Sequence, residues 1–416
     1  MKLTRIALGL AIAGLSFGAH ATNGYFSHGY GMKSKGMAGA GASTSTDDAF
    51  FGANNPAAAA YAGNRLDLGI DLFMPKREAT NEGGALAFAS SESDNNYFPI
   101  PEFGYNYMLN NDTALGVTVY GNGGMNTDYP SVLGTNILGG NDGLGVDLMQ
   151  VIVAPTLAFK IAPNHSIGIA PLLGYQMFEA NGLQAFAPYS SDSSKLTDNG
   201  HDSAFGYGVR VGYLGKITPT VTVGAAYATK MNFSEFDSYA GLFAEKGDFD
   251  IPENYNIGIS WQATPEVKLA LDYQRINYSD VRAVGNPVTN LLVGGVPLGE
   301  PGSAGFGWDD VEVWKLGVEY KYSKQLTLRG GVSYNNNPIS KSDMGEVMFN
   351  ILAPAVIEGH ASAGFTYTFA SGNELTMQYT HAFERDLSAA RPGFGGGTDK
   401  IQMYQDSVGV QYSWKM

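Results

Sequence analysis

The chain has 416 residues and a formal net charge of −14, and only 15% of its residues are charged. This acidic balance argues against nucleic acid as a partner, and the absence of cysteine excludes disulfides and thiolate metal sites. Glycine, tyrosine and phenylalanine number 55, 24 and 22, a bias that short strands, many turns and belts of aromatic residues would explain.

The first 21 residues predict a secretory signal peptide. Lys2 and Arg5 precede an apolar stretch over 6–17, and Ala19 and Ala21 supply the small residues of a cleavage site. This apolar stretch is too short to span a membrane as a helix. A buried N-terminal helix is the alternative interpretation.

Residues 22–64 differ from the rest of the chain. They are rich in glycine, alanine and small polar residues, and isolated apolar side chains such as Phe50 and Phe51 show no sustained two-residue period. In a wide barrel an unfilled lumen would be an aqueous channel. We therefore expect this segment to enter the lumen from the periplasmic side as a plug, or hatch, with a disordered periplasmic tail as the alternative.

From residue 65 onward the dominant pattern is alternation. Leu66, Leu68, Ile70 and Leu72 occupy every second position, and since strand side chains alternate faces, one face is continuously apolar. A soluble β-sandwich also alternates, so this pattern alone does not identify the surrounding solvent.

The lengths of the connections favour a membrane barrel. We predict roughly fourteen strands of about ten residues each, enough to cross the hydrocarbon when tilted. Short turns alternate with long loops, and the long loops cover 77–97, 122–146, 180–203, 234–251, 278–309, 335–358 and 385–404. The predicted fold is thus all-β, a transmembrane antiparallel β-barrel over residues 65–416 in the outer membrane of a Gram-negative bacterium.

The last strand ends in a second signal. Val408, Val410, Tyr412, Trp414 and Met416 alternate to the end of the sequence. This resembles the recognition signal of outer-membrane barrels, although that signal commonly ends in Phe or Trp. We therefore expect the barrel assembly machinery as a partner, together with outer-membrane lipid and lipopolysaccharide.

Asn55, Pro56 and Ala57 stand just before the first strand. Here the chain resembles the FadL-type family of outer-membrane transporters for long-chain fatty acids and related hydrophobic compounds, whose hatch carries an Asn-Pro-Ala motif. The order of further motifs, such as 326–334 followed by Pro338, extends the resemblance along the chain. It implies a hatch over 22–64, with Asn55, Pro56 and Ala57 in gating.

A glycine-rich segment, Gly121, Asn122, Gly123 and Gly124, follows the third predicted strand. Glycine within a strand often marks a bulge or bend. The family resemblance implies an inward kink here that opens the wall laterally next to the hatch. The alternative is that the segment is only a flexible start to a long outer loop.

Two of the long loops carry apolar tracts, with Leu291, Leu292 and Val293 in one and Phe349 and Leu352 in the other. Exposed apolar patches often mark ligand sites. The resemblance implies ligand capture at the outer loops, and the first of these loops is the better match. Packing of the loops against themselves is the alternative.

Alternation places Arg329 and Arg210 on the lumenal face. A planar guanidinium can bind both oxygens of a fatty-acid carboxylate, so both are candidate ligand-binding residues, with Arg329 preferred and with Phe50 and Phe51 of the hatch beside them. The structural alternative is that these cations pair with lumenal acids such as Asp272 or Glu319.

No motif indicates an enzyme. The sequence contains no Gly-x-Ser-x-Gly elbow, and its histidines lack zinc-ligand spacing, so we expect no cofactor and no metal.

We predict a monomer that takes up long-chain fatty acids passively. The alternatives are an uptake channel for monoaromatic hydrocarbons, an adhesin-like surface barrel and a general hydrophilic porin.

Overall fold

The computed structural model describes residues 23–85, 88–339 and 345–416. The predicted signal peptide, 1–21, lies outside these residues. Within them, no helix has the length and apolar character needed to cross a membrane.

Among the described residues, fourteen long strands build the wall of a closed barrel, as the alternation predicted. They are β1 (Arg65–Glu82), β2 (Phe98–Met108), β3 (Thr113–Tyr129), β4 (Leu144–Ala162), β5 (His165–Asn181), β6 (Asp202–Lys216), β7 (Val221–Ala228), β8 (Asn254–Gln262), β9 (Val267–Ile276), β10 (Val311–Lys321), β11 (Leu326–Asn335), β12 (Gly359–Thr368), β13 (Glu374–Ala390) and β14 (Thr398–Lys415). Two short strands, Phe88–Glu92 and Asn232–Phe233, pair with β1 and β6.

Short helical segments lie in the hatch and in the long loops. They are Met32–Lys35, Pro56–Tyr61, Gln184–Tyr189, Ser193–Lys195, Asp237–Tyr239, Ala244–Gly247, Tyr278–Asp280, Arg282–Gly285, Thr289–Leu292 and Glu346–Phe349.

Every strand runs antiparallel to its neighbours, and β1 closes the barrel by pairing with β14 from Arg65 opposite Lys415 to Glu82 opposite Thr398. Several strands are longer than the sequence predicts. β1 was expected to end near residue 76 and β3 near residue 121, but both continue because their neighbours β14 and β4 continue with them and keep the ladder paired. The long-loop end of the barrel therefore extends as sheet.

The two faces of the wall follow the predicted alternation. Along β10, Trp314, Leu316 and Val318 are exposed on the outside, whereas Lys315 and Glu319 are buried in the interior. An apolar outer band with aromatic residues toward its rims suits a surface that faces lipid.

Residues 23–64 lie inside the barrel. From residue 23 to residue 60, every residue is buried except Thr46 and Asp47. The first helical turn, Met32–Lys35, contacts β12, β13 and β14, and the second, Pro56–Tyr61, contacts β3 to β6. The segment thus spans the lumen and fills it.

Ion pairs clamp this segment to the wall. The Lys35 Nζ atom lies 2.8 Å from carboxylate oxygens of both Asp71 and Glu102, and the Lys33 Nζ atom lies 2.8 Å from Glu374. Buried charges need such partners because an unpaired ion in the interior is strongly destabilising.

Wall carboxylates also accept hydrogen bonds from the backbone of the hatch. Asp272 accepts from the amides of Gly41 and Ala42 at 2.7 and 2.8 Å, and Asp67 accepts from the Ala49 amide at 2.7 Å. Irregular backbone inside a barrel needs partners for its amides, and the wall supplies them.

The Lys35 clamp generates a testable prediction. Lys35→Met leaves two buried carboxylates without their cation, and breaking a buried ion pair costs about 3–5 kcal/mol. We expect the variant to show frequent ion-conducting openings in planar bilayers, because its hatch is less firmly held. Lys324→Met, in an exposed turn, is the control, and conductance of K35M as low as that of K324M would contradict the clamp.

Candidate functional site

Asn55, Pro56 and Ala57 begin the helical turn at the short-turn end of the barrel. The Asn55 side chain caps this turn by accepting from the Ala57 amide at 3.1 Å, and Pro56 occupies the first helical position. The same side chain donates to the carbonyls of Ala42, at 2.8 Å, and Tyr213, at 2.9 Å. Asn55 therefore ties two parts of the hatch to strand β6.

The helical turn packs methyl groups against part of the wall at this end of the lumen. Ala57, Ala58, Ala59 and Ala60 are at most 1% exposed. They belong to an apolar cluster whose wall members are Ala114, Ala158 and Leu214. The turn therefore fills this end of the lumen beside β3, β4 and β6 with apolar side chains.

The wall is interrupted between β2 and β3. These strands pair only from Phe103 opposite Val119 to Met108 opposite Ala114. Beyond Val119, β3 stays paired with β4, and its register shifts between Gly121 and Gly123. We call the unpaired stretch beyond Val119 the wall break.

At the wall break, the hatch takes the place of the missing strand partner. The Ser27 amide donates to the Asn122 carbonyl, and the Gly124 amide donates to the Tyr25 carbonyl, both at 3.0 Å. A Cβ atom at Gly123 would lie 1.7 Å from the Tyr25 carbonyl oxygen, so only glycine permits this approach. The segment Gly121, Asn122, Gly123 and Gly124 is therefore strand, and its interpretation as the start of a loop was wrong.

An apolar cavity lies beneath the outer loops. Every described residue that lines it is apolar or glycine. These residues are Leu138, Val146, Phe178, Leu183, Phe186, Leu242, Phe243, Ala283, Leu298, Ala304, Gly305, Phe306, Phe349 and Leu352. We call this cavity the outer cavity.

A second, smaller pocket lies against the wall break. Its lining includes Gly124 and Met125 of β3 and Phe73 and Arg77 of β1. Trp308 also lines it. We call it the inner pocket.

The two cavities are neighbours. Phe306 lines the outer cavity and Trp308 the inner pocket, and their ring centroids are 5.9 Å apart. Likewise, Leu352 lines the outer cavity and its neighbour Ala353 lines the inner pocket. The Trp308 indole donates to the Asn350 side chain at 2.6 Å, which fixes the ring between the cavities.

Aromatic side chains join the start of the hatch to the outer loops. The Tyr278 hydroxyl accepts from the amides of Tyr25, at 3.1 Å, and Phe26, at 3.2 Å, and donates to the Asn23 carbonyl. Burial raises the pKa of Tyr278 well above its usual value, so the hydroxyl keeps the proton that it donates. Trp308 packs edge-on against Tyr278, with ring centroids 5.2 Å apart.

The predicted capture residues have different positions. Phe349 and Leu352 line the outer cavity. Leu291 is buried among the loops and Leu292 is half-buried, whereas Val293 is 73% exposed. None of Leu291, Leu292 and Val293 lines the outer cavity, so the structure brings together two of the five.

The predicted lumenal residues also differ from one another. Arg329 forms an ion pair with Glu319 at 2.7 Å and donates to Thr366. Pairing with a lumenal acid was the structural alternative to ligand binding. Arg210 donates to the Ala53 carbonyl of the hatch and to a wall side chain. Within the described residues, no carboxylate lies within 4.0 Å of it.

Phe50 and Phe51 are fully buried within the hatch and its contacts. Phe50 packs at Gly31, and Phe51 packs at Gly116 of β3 in the alanine cluster. Neither lines the outer cavity or the inner pocket.

Sequence reasoning missed Arg77, Tyr278 and Trp308. The signal for Arg77 was present, since it continues the inward series of Phe73 and Pro75, but the strand was expected to end before it. No comparable signal marks Tyr278 and Trp308, because loop packing decides their positions. In the described part of the chain, no group of three or more acidic, histidine or cysteine side chains could hold a metal ion.

Comparison with solved structures shows the same fold. A Pseudomonas aeruginosa FadL homologue matches with a TM-score of 0.72 and 17% identity, over 94% of this chain and 99% of its own. The Pseudomonas putida toluene transporter TodX matches with a TM-score of 0.69 and 18% identity, over 95% and 100%. The Ralstonia pickettii toluene transporter TbuX matches with a TM-score of 0.65 and 18% identity, over 94% and 99%.

Among curated protein sequences, none matches the chain. The profile of one sequence family, described as outer membrane protein transport protein (OMPP1/FadL/TodX), matches residues 18–412. Its members are transport channels of the Gram-negative outer membrane rather than enzymes. The chain therefore belongs to the OMPP1/FadL/TodX family of outer-membrane transport proteins.

Proposed function

We propose that this protein takes up long-chain fatty acids passively. The acids enter at the outer loops and leave sideways into the plane of the outer membrane. The observation that carries the proposal is the order of three features. An apolar outer cavity lies next to an inner pocket, and the inner pocket lies at a break in the wall.

The short-turn end of the lumen supports lateral exit. Buried residues of the hatch fill the lumen there, and an apolar solute that continued that way would enter water. Moving apolar surface into water costs about 25 cal/mol per Å². A sideways exit into lipid avoids that loss.

The lumen supports an acidic cargo. Arg329 is already paired with Glu319, but Arg77 lines the inner pocket, is buried, and donates its hydrogen bonds to neutral carbonyls. A buried guanidinium without a carboxylate favours a ligand that brings one.

Monoaromatic hydrocarbons are the second candidate cargo. The outer cavity has no charged or polar side chain in its lining, and two similar structures are those of toluene transporters. A small neutral aromatic molecule would fit such a lining without any cation.

A general porin and an adhesin-like barrel are less well supported. In the described part of the chain, residues 23–64 fill the lumen and leave no wide aqueous channel. The outer loops surround an apolar cavity, for which an adhesin would have no use.

We further infer that the hatch controls the route. Its Tyr25–Ser27 backbone completes the hydrogen bonding of β3 at the wall break, so exit of a molecule there requires these bonds to break. Asn55 anchors the opposite end of the hatch, and we assign it, with Pro56 and Ala57, to holding the closed state.

Uptake by cells tests the proposed function. A strain without the protein should accumulate labelled oleate several-fold more slowly than the same strain with the gene restored, because diffusion of an amphiphile across the outer face is slow. Labelled toluene is measured in parallel. Equal uptake of oleate with and without the protein would overturn the fatty-acid proposal, and a gene-dependent rate for toluene alone would favour the second candidate.

A disulfide across the wall break tests the role of the hatch. Ser27 and Asn122 lie opposite each other where the hatch pairs with β3, and the chain has no other cysteine. Oxidised S27C/N122C should lose most of its oleate uptake and regain it with reductant, since the hatch cannot leave the wall.

The matched control joins two wall strands away from the hatch. Leu316 and Val332 are partners in the β10–β11 ladder and both are exposed on the outside of the wall, so oxidised L316C/V332C should transport at the wild-type rate. Transport by the locked S27C/N122C protein at that same rate would contradict a gating role for the hatch.

A further inference from the structure

Eight lysine and arginine side chains are buried in the described part of the chain, and most have an acidic partner. Five of them form an ion pair with a carboxylate. These five are Lys33, Lys35, Arg65, Arg329 and Arg391. Among the described residues, no carboxylate lies within 4.0 Å of the other three, which are Arg77, Arg210 and Lys315.

The three cations that have no carboxylate partner differ in the groups that they contact. Arg210 donates to the Ala53 carbonyl, and Lys315 donates to the carbonyls of His28 and Gly39. Both therefore fix the hatch. Arg77 contacts no hatch residue through a hydrogen bond, and its guanidinium lines the inner pocket instead.

Arg77 bridges the wall break. It belongs to β1, and it donates to the carbonyl of Asn126, which lies on β3 beyond the break, and to the carbonyl of Asn95, just before β2. Its guanidinium carbon lies 5.6 Å from the centre of the Phe98 ring. A single side chain thus connects the two edges that the ladder leaves apart.

The guanidinium has unused binding capacity. Arg77 is 6% exposed, and its Nε atom is buried without a hydrogen-bond partner. Its remaining contacts are neutral carbonyls, and a carboxylate forms shorter and stronger bonds to a guanidinium than a carbonyl does. A carboxylate in the inner pocket would therefore displace the weaker acceptors.

The rest of the inner pocket is mostly apolar. Among the described residues of its lining, Arg77 is the one that carries a charge, and Phe73, Met125, Trp308 and Met403 supply apolar surface. A pocket with one cation at a wall of apolar side chains matches an amphiphile with a single acidic headgroup.

We propose that Arg77 binds the carboxylate of the transported acid in the inner pocket and thereby releases the Asn126 carbonyl, which frees the edge of β3 at the wall break. This proposal rests on the proposed function and deepens it, because it makes the acid headgroup the signal for lateral exit. A neutral molecule of the same chain length occupies the pocket without displacing the bridge.

Binding of matched ligands to the purified protein tests the proposal. Oleate and oleyl alcohol share a chain and differ in headgroup, so the wild-type protein should bind oleate more tightly. Arg77→Gln should weaken oleate binding about tenfold or more, as expected for loss of a charged hydrogen-bonded pair, and should leave oleyl alcohol within about twofold. Arg77→Lys keeps the charge but loses the paired donors of the guanidinium, so its affinity for oleate should be intermediate.

The control variant is Lys76→Gln, the neighbouring cation on the opposite face of β1. It should leave both affinities unchanged, and heat-modifiable migration in gels reports folding of each variant. Equal wild-type affinities for oleate and oleyl alcohol would overturn the proposal without any variant. Equally weakened binding of both ligands by R77Q would also overturn the proposal, because that result would indicate a purely structural role for Arg77.

The cell assay separates this proposal from the proposed function. If the wild-type protein accelerates uptake of oleate and oleyl alcohol equally, transport stands and the role of Arg77 fails. If it accelerates neither, the proposed function fails and the role of Arg77 fails with it.

Discussion

The constraint on which this structure depends is that a strand inside a membrane cannot leave its backbone unpaired. Each unsatisfied amide or carbonyl in hydrocarbon is strongly unfavourable, so the wall must close on itself. Strand β1 meets this requirement by pairing along its whole length with β14. The stretch between β2 and β3 beyond Val119 is the exception. There the backbone of Tyr25–Ser27 supplies the partner, so the hatch is part of the wall as well as a plug.

The charges of the lumen follow from the same requirement. A segment of irregular backbone can fill a barrel only if its amides and cations find acceptors. Asp67, Asp71, Glu102 and Asp272 point inward from the wall and provide them. At the wall break, backbone hydrogen bonds to β3 and the Tyr278 hydroxyl hold the hatch, and Arg77 bridges the strands.

Alternation in the sequence was enough to predict the fourteen strands and the face of each side chain, because a strand with one face in lipid must repeat every two residues. Arg210 and Arg329 were placed on the lumenal side on this basis, where the structure has them. Alternation could not show which cations pair, since Arg329 meets Glu319 only through the register of β10 with β11. It also missed Arg77, because β1 continues past residue 76 only while its partner β14 does. The outer cavity could not be predicted, since five separate loops build it through contacts distant in sequence.

The most direct measurement of the central claim is an experimental structure with oleate bound. The account predicts ligand density that runs from the outer cavity past Trp308 into the inner pocket, with the carboxylate at Arg77 and the bond from Ser27 to Asn122 lengthened or broken. Density that instead passed the alanine cluster toward the short turns, with the wall break unchanged, would contradict lateral exit.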